Sequence, residues 1–399
     1  MTTIQLVSYG PAQSVELHWE QVAKLRKAAG NQLSVSAGDI PGTWTFKAGP
    51  DVGTVSAGGC RVLIRPNIPP TNLFHLLEPD GDALDVQPAA FEYERSSDLL
   101  AAFATFFCRV IERATSRGLD RAYREFQDRL TAPRGRIDIA AHSRAVGIVT
   151  PLVCRFDEYT ADVPLNRILR AAAERLLHVP YVAPATRQAL ARIPVLFEEA
   201  STLRPEDLAH PITFTRLNCH FESAVRLARL VLEGGAITDQ VGTASAGTFL
   251  VNMPKLFEAF IHARLRRHLA GVLDVVAQQQ HRFAANRSDP RIQPDLEFRI
   301  GKETRYVADA KYKLTTDGLG RISDYYQLLA YATVLQVPEG VLIYCHDDGD
   351  PPPSRLIVQN TSIVLWVRAV ALNGTPSDVD ARLRNLAVWI AGRQSRPAR

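Results

Sequence analysis

The chain is short of sulfur: two methionines and five cysteines, Cys60, Cys108, Cys154, Cys219 and Cys345, odd in number and far apart. That dispersal argues against a disulfide framework or a zinc site and fits a reducing compartment. No apolar run approaches the ~20 residues that span a bilayer. The opening residues, MTTIQLVSYG, lack the charged and apolar regions of a signal peptide. These absences predict a cytoplasmic protein that does not enter a membrane. No G-x-x-x-x-G-K-[ST] phosphate loop is present either, so the chain does not read as a nucleotide-driven motor. No repeat recurs at a fixed period. Charge of neither sign dominates: the formal net charge is +4 and the pI near 8.8, which permits nucleic-acid binding without demanding it.

What is present is ordinary for a folded soluble protein, with 46% hydrophobic and 22% charged residues. A length of 399 residues suggests two or three domains. The expected class is α+β and multidomain. Residues 1–93 are rich in Gly, Thr, Val and Pro, with strands at Thr43 to Phe46 and Cys60 to Ile64, and read as a β-rich domain. Residues 94–244 read as a mainly helical middle region. There Leu99, Leu100, Phe103, Phe106, Phe107, Val110 and Ile111 recur at helical spacing before charged residues take over towards Leu130. Helices are also expected at Leu165 to Leu177, Thr186 to Ile193 and Asn218 to Leu232, and a hairpin within Arg136 to Cys154. Gly234 to Gly247 is the linker candidate. Residues 245–399 alternate helices with strands, which predicts a mixed α/β sheet flanked by helices. The loop Asp347 to Pro353 interrupts them.

The chemistry concentrates in this last region. Asp295 opens a β-prone run to Ile300, Gly301-Lys302-Glu303 reads as a turn, and a second β-prone run, Thr304 to Tyr312, carries Asp309 and Lys311. A hairpin centred on Lys302 sets Asp295 opposite Asp309. Opposed residues have Cβ atoms about 5 Å apart, so both carboxylates can reach one divalent cation. Asp309 and Lys311 share a strand face because side chains alternate with period two. Two carboxylates and an ammonium on one face form the minimum set for metal-assisted phosphodiester hydrolysis by Mg²⁺ or Mn²⁺. The Ala310 backbone carbonyl is a further ligand candidate, and Glu258, on an expected helix from Pro254 to Leu269, is an accessory one. On a helix from Ser323 to Leu335, Gln327 and Tyr331 share a face, with Asp324 nearby. They are candidates to contact DNA phosphate or orient Lys311. Arginines at 264, 266, 267, 282, 287, 291, 299 and 305 are candidates to follow a phosphate backbone.

A lone Asp-x-Lys recurs by chance, so the weight rests on the combination. Pro294-Asp295, Asp309-Ala310-Lys311 and Gln327-x-x-x-Tyr331 resemble the PD-(D/E)xK nuclease superfamily. The run Asp309-Ala310-Lys311-Tyr312-Lys313, followed by Tyr326-Gln327 to Tyr331, resembles the McrC family, the endonuclease subunit of modification-dependent (5-methylcytosine) restriction systems. Arg134-Gly135-Arg136-Ile137-Asp138, Cys154 to Tyr159, Asp162, Pro164 to Arg167 and Leu63-Ile64-Arg65-Pro66 extend the resemblance over residues 60 to 345, with Asn67 where the family would have a basic residue.

The resemblance implies a restriction-endonuclease-like C-terminal domain that cuts double-stranded DNA, in defence against modified or foreign DNA. It also implies a hexameric McrB-like AAA+ GTPase as partner, contacted by the N-terminal portion and stimulated by it. Double-strand cleavage makes a second copy of the chain a further expected partner. Two alternatives stay open: a regulatory activator of the motor with cleavage secondary, and a stand-alone iron–sulfur nuclease, disfavoured because only Cys345 lies in the last third.

Overall fold

The computed structural model describes residues 2–78, 86–96, 98–142, 151–179, 182–233, 248–283, 290–312, 321–346 and 353–393. The linker expected at Gly234 to Gly247, the loop Asp347 to Pro353 save its last residue, Arg287 and Lys313 lie outside the described residues. The chain divides into two compact units, one formed by Met1–Phe106 with Gly235–Arg399 and the other by Phe107–Gly234. The three-segment division drawn from the sequence does not coincide with these units: helix Pro70–Leu77 packs on helices Met253–His268 and Pro376–Ala391, and one strand joins the N-terminal sheet. Thr248–Asn252 pairs antiparallel with residues 51–55, so the C-terminal segment begins inside the N-terminal sheet. Gly53 makes that pairing geometrically feasible. It sits at φ +140°, and a Cβ there would overlap the Phe249 carbonyl oxygen.

In the first unit, Thr2–Val7 lies parallel to Cys60–Arg65, which pairs antiparallel with Asp51–Ala57. A smaller sheet, Gln13–Glu16, Thr43–Ala48 and Leu33–Ala37, adjoins it. The β-rich reading missed the helix Trp19–Ala29, which buries Val22, Leu25 and Ala29 at positions i, i+3 and i+7. Those residues share one core with Phe46, Val55 and Val62.

The larger sheet of this unit runs Asp274–Ala277, Leu296–Ile300, Glu303–Lys311, Glu339–His346, Val364–Ala371, Ser354–Ile357. Its centre is parallel and its outer pairings antiparallel. Tyr306 to Ala310 are buried without a break, as expected of a strand covered on both faces. On one face Val307, Leu342, Leu365 and Val367 meet Leu328, Tyr331 and Ala332 of the helix Ile322–Val334. Gly340 lets that helix approach, since a Cβ there would lie 2.8 Å from Leu328 Cγ. Two further helices, Met253–His268 and Pro376–Ala391, pack against each other and against strands 303–311 and 364–371 respectively. Phe257 and Tyr312 stand with ring centroids 6.0 Å apart.

The second unit joins helices to a sheet. Pro164–Leu177 packs between Pro184–Leu196 and Glu222–Glu233, burying Leu165, Ile168, Leu169, Ala172 and Leu176. The mainly helical reading hid a ribbon: Ala122–Leu130 pairs antiparallel with Leu152–Thr160 along its whole length. The expected hairpin within Arg136 to Cys154 is a short pairing, Arg136 with Arg155 and Ile137 with Cys154. Arg167 is buried at 2% exposure. Its Nε and Nη2 donate to both oxygens of Asp207 at 2.9 and 2.7 Å, and Nη1 donates to Asp162 Oδ1 at 2.9 Å. Asp162 also accepts from the Ser201 N–H and Oγ–H, both at 2.8 Å. Burial alone would raise the Asp162 carboxyl, but the Ser201 donors and the Arg167 guanidinium hold it down at about 2. The Arg167 segment is thus an internal strut of this unit.

Among the described residues no helix is long and apolar enough to cross a membrane.

Candidate active site

The hairpin forms with the register the alternation demands at its acidic end. Leu296 pairs with Ala308 and Glu297 with Val307, which brings Asp295, just before the first strand, level with Asp309. The turn is one residue tighter than the sequence suggests. Ile300 pairs with Glu303 across Gly301-Lys302, with Gly301 at φ +60°. A bulge between Phe298/Arg299 and their partners absorbs the difference at Arg305 and restores the register before the acids.

Asp309 is the unusual member. Its side chain is fully buried, and neither carboxylate oxygen accepts a well-directed hydrogen bond from the described residues. The Lys311 ammonium lies 2.6 Å from Oδ2. Burial first, then the Asp295 carboxylate, push the Asp309 carboxyl well above its ordinary range; Lys311 opposes them. The two acids are within hydrogen-bonding reach when they share a proton. Asp295 is fixed from the backbone side, since the Ala310 N–H donates to its Oδ2 at 2.9 Å. Ala310 therefore meets Asp295 through its N–H.

Lys311 is 18% exposed. Burial lowers its pKa, but Asp309 ahead of Asp295 and Asp324 outweighs that and the ammonium titrates above its ordinary value. Glu258 lies half-buried on the helix Met253–His268 and within electrostatic reach of Asp295 and Lys311. Burial and Asp295 push its carboxyl up to about 7. On the facing helix Gln327 Nε2 donates to the Tyr331 hydroxyl at 2.7 Å, so the two share a face as expected. Burial raises the Tyr331 phenol, and Asp309 and Asp295 add to the rise.

The donor set suits a hard cation. A buried carboxylate without directed donors among the described residues, beside a second carboxylate, suits an oxygen-seeking ion such as Mg²⁺, with water completing its shell. Among the described residues no three His, Cys, Asp or Glu side chains gather closely enough to enclose an ion alone. Asp295 and Asp309 are the carboxylate pair of the candidate site, and Glu258 does not close it into a triad.

Two supporting groups escaped the sequence. Glu297, two residues beyond Asp295, is completely buried. It accepts from Arg299 Nη2 at 2.6 Å and Thr304 Oγ1 at 3.2 Å, and His281 Nε2 lies 2.5 Å away. It ties the strand pair His281–Arg282 and Arg291–Ile292 to the hairpin. Tyr344, also fully buried, donates its hydroxyl to Asp324 at 2.6 Å. Of the arginines proposed to follow a backbone, Arg299 is spent on Glu297, and Arg264 lies buried against His75 and Asp380.

The family model described as McrBC 5-methylcytosine restriction system component matches residues 46–345. No curated protein matches the chain. The fold is similar to that of a chain in the refined half-complex from the tetradecameric assembly of Thermococcus gammatolerans McrB AAA+ hexamers with bound McrC. The two share 19% identity and a TM-score of 0.56, over 98% of this chain and 100% of that one. A chain of the Thermococcus gammatolerans McrBC complex, from cryo-electron microscopy, matches at 21% identity and a TM-score of 0.46, over 67% of this chain and 88% of that one. With its family model matched across residues 46–345, the chain belongs to the McrC family, components of the McrBC 5-methylcytosine restriction system.

Proposed function

We propose that the chain is the metal-dependent endonuclease subunit of a modification-dependent restriction system, with a PD-(D/E)xK site that hydrolyses DNA phosphodiester bonds. The observation that carries this reading is Asp309, a buried carboxylate without a well-directed donor among the described residues, placed beside Asp295 and Lys311 on one hairpin. Asp295 and Asp309 would hold Mg²⁺ or Mn²⁺, with the Ala310 carbonyl as an accessory oxygen donor and Glu258 acting through water. Such an ion, when bound, supplies a Lewis acid for the attacking water and the scissile phosphate.

The chain's own groups divide the remaining work. The Ala310 N–H fixes one oxygen of Asp295 and so its orientation. Lys311 stays protonated, because its pKa is raised, and places positive charge where negative charge grows on the phosphate. It acts as a cation rather than a base. The Gln327–Tyr331 pair lines the same face and offers polar groups to the DNA backbone.

The partner we infer is a hexameric McrB-like AAA+ GTPase, on the strength of the family and of a fold shared with a chain from a McrB–McrC assembly. Double-stranded DNA is the substrate, and two copies of the chain would make the two cuts of a double-strand break. The test is co-purification with the product of the neighbouring open reading frame, followed by cleavage of methylated DNA with and without nucleotide and Mg²⁺. Cleavage that needs both supports the reading. A stable complex that stimulates GTP hydrolysis yet never cuts methylated or unmethylated DNA would leave the regulatory-module alternative standing instead.

A further inference from the structure

The Lys311 ammonium and a divalent ion compete for the same place. Lys311 Nζ sits 2.6 Å from Asp309 Oδ2, inside the space an ion bound to that oxygen needs. A dication at Asp309 repels the ammonium, so metal entry must move it. Solvent is a poor destination, since the lysine side chain is only 18% exposed. The chain needs a second acceptor close by, on the same face.

Asp324 meets that description. Lys311 and Tyr344 are register partners on neighbouring parallel strands, about 4.8 Å apart, and so project to the same side. Their side chains are of similar length, which brings the ammonium and the phenol to similar heights above the sheet. The Tyr344 hydroxyl donates to Asp324 Oδ2 at 2.6 Å and accepts from the Arg321 N–H at 3.3 Å. Tyr344, the register partner of Lys311, thus holds the Asp324 carboxylate. Asp324 is 4% exposed, in the first turn of the helix Ile322–Val334, where the helix dipole favours a negative charge. Asp324 also contributes to keeping Lys311 charged in the arrangement seen here.

We propose that Asp324 is a positioning residue that takes over the Lys311 ammonium when a divalent cation occupies Asp309. The inference rests on the metal-binding reading of Asp295 and Asp309 and adds to it a partner for the lysine. Without metal, Lys311 neutralises Asp309. With metal, it leans towards Asp324 and Tyr344, clear of the ion and still facing the site. The chain then carries a built-in competition in which Asp324 lowers the free energy of letting the ion in.

The test is calorimetric titration of Mn²⁺ into the full chain, without DNA or partner, at 0.15 M salt so that distant charges are screened. Six proteins are compared: wild type, Asp324→Asn, Tyr344→Phe, Lys311→Met, the Asp324→Asn/Lys311→Met double variant and Asp309→Asn. Asp324→Asn should weaken Mn²⁺ binding about tenfold, because the ammonium then stays on Asp309. Tyr344→Phe, which keeps the ring in the core, should weaken it about threefold in the same direction. Lys311→Met should bind at least as tightly as wild type. In the Lys311→Met background the Asp324→Asn change should cost less than about twofold, since there is no ammonium left to accommodate.

A merely structural role for Asp324 would weaken binding equally in both backgrounds. That result overturns the inference, as does wild-type affinity in both Asp324→Asn and Tyr344→Phe. Wild-type affinity in Asp309→Asn is a different failure: it removes the metal site itself, and the inference falls with it. If Asp324→Asn does not fold, Tyr344→Phe measured with and without Lys311→Met decides the question alone.

Discussion

Two clusters of buried charge in this chain are built on opposite plans. Around Arg167, in the unit Phe107–Gly234, one guanidinium meets two carboxylates, and Ser201 supplies further donors to Asp162. Around Asp309, in the other unit, two carboxylates gather near one ammonium, and among the described residues neither Asp309 oxygen has a well-directed donor. The first arrangement holds carboxyl groups low and supports the fold; the second drives a carboxyl up and strains it. Buried charge that is fully paired reads as architecture, and buried charge left short of donors reads as a place kept for something else. The family resemblance covers both segments, so motif matching alone does not separate them; the hydrogen-bond geometry does.

The contrast makes predictions of opposite sign. The largest is for Arg167→Ala, which strands Asp162 and Asp207 in the interior and should cost about 3–5 kcal/mol of stability in urea unfolding. A loss below about 1 kcal/mol would remove the distinction between the clusters. Asp309→Asn should do the reverse and raise the melting temperature in metal-free buffer, by something on the order of 2–4 °C. A fall would mean that Asp309 contributes to stability as Asp162 does.

The two clusters should also answer pH in opposite ways. Asp162 titrates at about 2 in the folded chain against an ordinary 3.8, so the stability it contributes is present above pH 3.8 and is lost as pH falls towards 2. Asp309 titrates above its ordinary 3.8, so it withdraws stability as pH rises beyond that value. Urea unfolding at a series of pH values should show Asp162→Asn flattening the acid limb and Asp309→Asn flattening the decline above it. A smaller effect is expected at Glu258, whose carboxyl is pushed up to about 7. Glu258→Gln should reduce cleavage less than about tenfold and chiefly change its profile near neutral pH. A loss as deep as that of Asp309→Ala would promote it from accessory to essential. The smallest effect belongs to Tyr331→Phe, which removes one hydrogen bond and should cost about 1 kcal/mol, or roughly fivefold in cleavage.

The sequence exposed the acidic end of the hairpin because strand alternation is a local rule and the carboxylate pair depends on little else. It misjudged the turn, where a bulge at Arg305 compensates for a tighter loop in a way no alternation pattern records. Glu297 was invisible because one acid in an alternating strand looks solvated. Its partner His281 comes from a separate strand pair. Tyr344 and Asp324 meet across twenty residues for the same reason, and only the parallel register connects them to Lys311. The ribbon Ala122–Leu130 was hidden by its own composition, since it exposes most of its side chains and so lacks an apolar face to announce it. Gly53 is one place where the N- and C-terminal segments join, and its role appears only when Thr248–Asn252 lies beside it.

The most direct test of the central claim is single-turnover cleavage of a methylated duplex by the chain with its AAA+ partner, in Mg²⁺ and in chelator, for wild type and for Asp309→Ala. Wild type should cut only with Mg²⁺, and Asp309→Ala should lose at least about 10²–10³-fold while still binding the partner and stimulating GTP turnover. Cutting by Asp309→Ala at the wild-type rate would contradict the assignment of this hairpin as the site of hydrolysis.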